Sequence, residues 1–223
     1  MTHLRSTLQM LSSDDMPAGV AARKDYNAEG RKLIASFGLT PASSEYNDKD
    51  PIYKDPATGG CIYVGNEIAA RGPTNKLLEA GITHVVNCTD DMANFCEVPV
   101  THAPHPKANE PRITYLRFNV AYWQGAGTLA PHPAGPQQIV DFLKTLFAFV
   151  DGALAKGESV LVHCLAGAHR AGTTGCLLLM YKHSLNGQDA IKAAKTLRPI
   201  INPIGNLPGL LLFFAKYRPE VLK

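Results

Sequence analysis

Cys164 and Arg170 stand with five residues between them in the segment His163-Cys164-Leu165-Ala166-Gly167-Ala168-His169-Arg170. The segment follows the apolar run Val160-Leu161-Val162, which reads as a buried strand. It precedes Cys176-Leu177-Leu178-Leu179-Met180-Tyr181, which reads as a buried helix after Gly172. A strand, a short loop and a helix aim several backbone N–H groups and the positive end of the helix at one small volume. That volume favours an anion. The same field favours the thiolate form of a cysteine at its base, which is the nucleophilic form. An arginine closing the loop offers a planar, two-pronged donor matched to phosphate oxygens. Nucleophile, anion nest and clamp together imply covalent chemistry on a phosphate monoester. Cys61 and Cys176, which lack this setting, read as small core hydrophobes.

The elements that must hold this loop can be traced along the chain. Apolar residues at Ile139, Phe142, Leu143, Leu146, Phe147 and Val150 recur at helical spacing and predict one buried stripe on a helix over 136–154, with Asp141 and Lys144 off the stripe. Strands are expected at 61–64, 83–88, 113–120 and 159–163, and further helices at 74–80, 171–184, 187–197 and 205–216. Strands alternating with helices predict an α/β fold, a central, mostly parallel sheet flanked by helices on both faces. The loop at 164–170 then lies at the carboxyl end of a strand, where such sheets bind ligands. Residues 1–57 form a polar extension, with a short helix expected near 28–37. Pro41, Pro51, Pro56 and Gly59-Gly60 mark 40–60 as a linker or wrapping arm. The domain proper is expected over 58–223.

The chain has 223 residues and a formal net charge of +3, spread without clusters, so nucleic acid is not an expected partner. No stretch reaches the ~18 apolar residues of a membrane span. The first residues lack the apolar core of a signal peptide. Five cysteines without framework spacing suit a reducing compartment, so a cytoplasmic protein, present in the nucleus as well in some settings, is expected. A monomer without cofactor or metal is expected. His102 and His105 with Cys96 nearby lack the second ligand pair of a zinc site.

At the loop residues the chain resembles the cysteine-dependent phosphatases, and among them the dual-specificity protein phosphatases, as an atypical member. The resemblance extends to Cys61-Ile62-Tyr63-Val64-Gly65-Asn66, to Leu77 through Asn87, to Ile113-Thr114-Tyr115-Leu116 and to Arg198-Pro199-Ile200-Ile201-Asn202-Pro203, in order, over roughly 58–220. A sulfur-transfer domain of the rhodanese kind also seats a loop cysteine in an anion nest, but the surrounding elements fit it poorly. The resemblance implies that Cys164 attacks phosphorus to give a phosphocysteine that water hydrolyses. It implies that the backbone of Leu165, Ala166, Gly167, Ala168, His169 and Arg170, with the Arg170 side chain, binds the phosphate. His163 is expected to hydrogen-bond within the loop and support it, and His169 is assigned no chemistry. Phosphorylated proteins are the implied partners.

The chain departs from the family pattern at two places. Ala171 stands where the family carries a hydroxyl that assists the second step; Thr173 and Thr174 lie just beyond, and slowed breakdown of the phosphoenzyme is expected. Ala121-Tyr122-Trp123 stands where the family has its general-acid aspartate, and no Asp or Glu occurs from Pro111 to Gln138. Replacement candidates are Tyr122, Asp90, Asp91 and His132, and faster cleavage of aryl than of alkyl phosphates is expected. Cys88 matches a position where some relatives hold a redox partner for the nucleophile. Two other functions remain open at this point: a weakly active module that binds phosphoproteins, and a phosphatase of a non-protein substrate such as phosphoglucan.

Overall fold

The structure, a computed structural model, describes residues 38–40, 46–97, 112–120 and 135–223. Five strands form one sheet: β1 (Lys49–Lys54), β2 (Cys61–Gly65), β3 (Ile82–Asn87), β4 (Thr114–Arg117) and β5 (Ser159–His163). Their spatial order is β1-β2-β5-β3-β4. β1 runs antiparallel to β2, and every other pairing is parallel. β5 is buried at all five positions, as a strand paired on both sides and covered on both faces must be. Hence it reads as an uninterrupted apolar run rather than an alternating one.

Among the described residues, six helices cover the sheet: α1 (Glu67–Arg71), α2 (Thr74–Glu79), α3 (Pro136–Leu154), α4 (Arg170–His183), α5 (Gly187–Leu197) and α6 (Pro208–Val221). One face carries the larger core, where Val64, Val86, Val160 and Val162 meet Leu143, Leu146 and Val150 of α3, Leu177 and Leu178 of α4, and Phe214 of α6. Each fully buried side chain of this size contributes roughly 1.5–3 kcal/mol. The other face carries a smaller cluster of Ala70, Leu77, Ile82, Val85, Ile113 and Leu161. α4 approaches β2 closely because Gly175 has no side chain: a Cβ there would lie 2.7 Å from a Val64 methyl.

The mostly parallel sheet between helices is the expected architecture, and α3, α5 and β5 fall at their expected bounds. Elsewhere the structure differs. β1 lies in the stretch expected to be a linker or wrapping arm: the segment is extended, and it hydrogen-bonds into the sheet as an edge strand, where Pro51 is tolerated. α1 was not anticipated from periodicity because it is a single turn and a half, started by the Asn66 side chain accepting from the Ala69 N–H. β4 is shorter than 113–120, ending at Arg117. α4 starts at Arg170 and stops at His183, with Ser184 in the left-handed region. The last helix is displaced from 205–216 to Pro208–Val221, because Gly205 takes a positive φ and Pro208 sets the first turn. The expected helix near 28–37 lies outside the described residues.

Candidate active site

Two loops meet at the carboxyl edge of the sheet, one after β5 and one after β3. The first runs from Cys164 to the start of α4 at Arg170. The carbonyls of 165–169 turn outward to donors. The Glu67 N–H donates to Leu165 O at 3.0 Å, and the Asn202 N–H to Ala168 O at 2.9 Å. The Tyr46 hydroxyl donates to Ala166 O at 2.9 Å. Arg198 donates through Nε to Gly167 O at 3.2 Å and through Nη2 to Ala166 O at 3.5 Å. The His169 carbonyl accepts from the N–H and hydroxyl of Thr173. With the acceptors facing out, the N–H groups of 165–170 face in, and none has an acceptor among the described residues. Unpaired donors at the N-terminus of a 14-residue helix make an anion cradle. Cys164 lies at its base, buried, and Arg170 lies in the first turn of the helix, partly exposed.

Gly167 makes the inward turn. Its φ is +67°, and a Cβ there would lie 2.5 Å from the Gly65 carbonyl oxygen and 2.8 Å from Arg198 Nη2. Only glycine fits.

Arg198 is the support that sequence reasoning passed over. It is 1% exposed, and its Nη1 donates to Asp50 Oδ2 at 2.6 Å and to the Asn47 carbonyl at 2.8 Å. The Tyr46 ring lies 5.3 Å from the guanidinium carbon. Asn66 donates from Nδ2 to Tyr46 Oη and to Asp48 Oδ1, which fastens the same segment to the start of α1. Residues 46–50, in the polar extension, therefore fasten the loop through a buried ion pair. An arginine in a motif that merely introduces a helix carried no signal of this; its partner lies 148 residues away.

The side chains around the loop are placed as follows by their contacts. The His163 ring is fully buried beside the Cys164 backbone, with neither nitrogen in a well-formed hydrogen bond, so packing is its main support to the loop. Burial pushes its pKa down to about 4, with the Cys164 backbone opposing and the Arg117 charge assisting. His169 is tied outward, its Nδ1 donating to the Asn202 carbonyl at 2.6 Å. Thr173 donates to the His169 carbonyl, and Thr174 donates to the Arg170 carbonyl at 3.1 Å. The Thr174 hydroxyl accepts from Cys88 Sγ at 3.4 Å, so its sulfur neighbour is Cys88 rather than the nucleophile candidate. Cys88 is fully buried beneath the loop, where burial pushes its thiol up and the Cys164 charge adds to the rise.

The loop after β3 is built differently. Asn87, at the end of the strand, is fully buried and acts as its hub. Its Oδ1 accepts from the Thr89 N–H and hydroxyl, and its Nδ2 donates to Met92 O and Asn94 Oδ1. Arg117, at the end of β4, donates to the carbonyls of Thr89, Asp90 and Met92. The loop so pinned holds Asp90 Oδ1 3.7 Å from Arg170 Nη1. Asp91 is exposed and has no such partner among the described residues. Tyr122, His132, His102 and His105 lie outside the described residues, and Cys96 donates its thiol hydrogen to the Gly72 carbonyl.

A family model described as the catalytic domain of dual specificity phosphatases matches residues 62–216. The chain belongs to this family. Among curated proteins it is 29% identical to dual specificity protein phosphatase 6 of Homo sapiens over 158 residues, 70% of this chain and 35% of that protein. It is 28% identical to dual specificity protein phosphatase 9 of Homo sapiens over 209 residues, 92% of this chain and 46% of that protein. The chain thus spans between a third and a half of the length of these relatives. The crystal structure of human DUSP28 shares the fold, with a TM-score of 0.53 at 19% identity over 83% of this chain and 100% of that one. The matched range runs from β2 into α6 and includes the loop after β5, while β1 and residues 46–50 precede it.

Proposed function

We propose that this protein hydrolyses phosphate monoesters on proteins, at phosphotyrosine and at phosphoserine or phosphothreonine, through a phosphocysteine on Cys164. The observation that carries this reading is the orientation of the loop: carbonyls satisfied from outside, N–H groups of 165–170 left for an anion directly above a buried cysteine. In the first step the Cys164 thiolate attacks phosphorus, a P–S bond forms, and the ester P–O bond breaks. The amides and Arg170 hold the equatorial oxygens, and positioning with electrostatic stabilisation supplies most of the rate. Water then attacks phosphorus, and the sulfur leaves as thiolate.

Leu165 in the loop is exposed, as is Ile68 in the helix whose Glu67 N–H meets the Leu165 carbonyl, and such apolar side chains suit the residues flanking a phosphorylated side chain. The five free thiols suit the reducing interior of a cell, the cytoplasm or nucleus, and we take the acting form as a monomer.

Cys164→Ser is expected to abolish turnover of p-nitrophenyl phosphate, and unchanged turnover would remove this reading. Binding of phosphoproteins without turnover is the competing reading. It is favoured by Ala171 and by the engagement of both threonine hydroxyls away from Cys164. Rapid-quench trapping separates the two. A phosphocysteine that accumulates and then decays supports a slow enzyme, and failure to form any phosphoenzyme supports the binding module.

A further inference from the structure

We infer that Asp90 is the general acid of this site, delivered by the loop after β3. The inference rests on the phosphatase reading above. Cleaving a P–O bond leaves an electron pair on the ester oxygen, and a poor leaving group needs a proton there. Among the described residues, Asp90 is the carboxylate paired with the phosphate clamp, 3.7 Å from Arg170 Nη1.

Three observations make that placement more than a surface turn. Arg117 holds the Thr89, Asp90 and Met92 carbonyls at 3.0, 3.2 and 2.8 Å, so the backbone beneath the carboxylate is fixed from β4. Fully buried Asn87 fixes the same loop from β3, and the Met92 N–H donates to Thr89 Oγ1 to close it. The carboxylate itself receives none of these bonds, and its residue is exposed, so it is free to meet a substrate at the mouth of the cradle.

Both signs of charge lie around Asp90. Arg170 faces it from α4, and Arg117 lies under its backbone from β4. Asp91 is its chain neighbour. A phosphate dianion seated on Arg170 takes up the guanidinium that Asp90 otherwise pairs with, which frees the carboxyl to face the ester oxygen, the atom that needs a proton. In the first step the Asp90 carboxyl gives that proton to the ester oxygen as the P–O bond breaks, leaving Asp90 as carboxylate. In the second it accepts a proton from the attacking water as the P–S bond breaks, which restores the acid. Protons balance over the cycle, and the products are the alcohol or phenol and inorganic phosphate. A donor at this position narrows the gap between aryl and alkyl esters that the lack of acids in 111–138 predicts.

The test compares wild type and Asp90→Asn on a series of aryl phosphates running from dinitrophenyl to unsubstituted phenyl, with inorganic phosphate as competing ligand. The expected result is a loss of about 10²-fold on phenyl phosphate and little loss on dinitrophenyl phosphate, since a good leaving group needs no proton. Phosphate inhibition stays within a few-fold, and Asp90→Glu restores part of the phenyl phosphate rate. An equal loss on every ester, with weakened phosphate inhibition, would mean that Asp90 only orients Arg170 and would overturn the inference. So would a leaving-group-dependent loss in Tyr122→Phe or His132→Gln with none in Asp90→Asn. These outcomes are read against wild-type activity that Cys164→Ser abolishes, so failure of the acid is distinct from failure of the phosphatase reading.

Discussion

The loops after β5 and β3 leave adjacent parallel strands at the same edge of the sheet, yet they are held by opposite means. The loop after β5 has its carbonyls gripped from outside by Arg198, Tyr46, Glu67 and Asn202, and it turns at a glycine that nothing else can replace. Its chemistry resides mainly in backbone N–H groups, so its shape is its function. The loop after β3 is held from beneath by the side chains of Asn87 and Arg117, and it presents one exposed carboxylate. Its chemistry resides in a single side chain, so many sequences could build it. A cradle made of backbone demands buried, charged scaffolding. A displayed side chain needs only a fixed base.

Breaking the scaffold of the first loop should have the largest effect. Arg198→Ala leaves Asp50 buried without its cation and frees two loop carbonyls, at an expected cost of about 3–5 kcal/mol. Thermal unfolding reads the loss, and phosphate affinity should fall with it. A stable variant with full phosphate affinity would mean that the cradle does not depend on this ion pair.

A pH effect on stability sharpens the same side of the comparison. Folded His163 titrates near 4, whereas an unfolded histidine titrates near 6.5. Below about 6.5 the unfolded chain binds a proton that the folded one refuses until about 4. Stability is therefore fully present above 6.5 and falls as the pH drops through that window, by about 3 kcal/mol in all. His84 and His183, both lowered chiefly by burial, push in the same direction. Unfolding midpoints measured from pH 7.5 to 4 in wild type and His163→Gln should diverge towards the acid end if the account holds, and parallel curves would count against it.

On the other loop, Asn87→Ala removes the hub and should cost about 1–3 kcal/mol. It should slow phenyl phosphate more than dinitrophenyl phosphate and leave phosphate inhibition unchanged, because the cradle is not built on it. Equal losses on both esters would join the two loops into one unit. The smallest effect is expected of Tyr46→Phe, which deletes one hydroxyl donor to Ala166 at about 0.5–1.5 kcal/mol and leaves the ring over Arg198 in place. A several-fold rise in the phosphate inhibition constant with near-normal stability is the readout.

The same contrast explains what the sequence disclosed. The loop after β5 was legible because backbone chemistry needs a cysteine, small residues and an arginine at set offsets, and β5 and α4 announce themselves as apolar runs around them. The parallel sheet was legible for the same reason. The scaffold was not. Asp50, Tyr46 and Arg198 act across 148 and 120 residues of chain, and no local period records such a contact. β1 was hidden by Pro51, which an edge strand tolerates and an interior strand does not. Asp90 was visible as a candidate, yet its pairing with Arg170 depends on Asn87 and Arg117, polar residues that carry no motif.

The bond between Arg198 and Asp50 also bears on the order in which the molecule forms. It joins residues 148 positions apart, and the edge strand that brings Asp50 into place lies far ahead of the helix that Arg198 precedes along the chain. Contacts of such separation close late, after the entropy of the intervening loop has been overcome. β5 and α4 can assemble around Cys164 well before that closure, but the carbonyls of Ala166 and Gly167 are not drawn outward until it occurs. The capacity to hold phosphate therefore depends on a contact between distant parts of the chain, and loosening the edge strand β1 would release the carbonyls of Ala166 and Gly167.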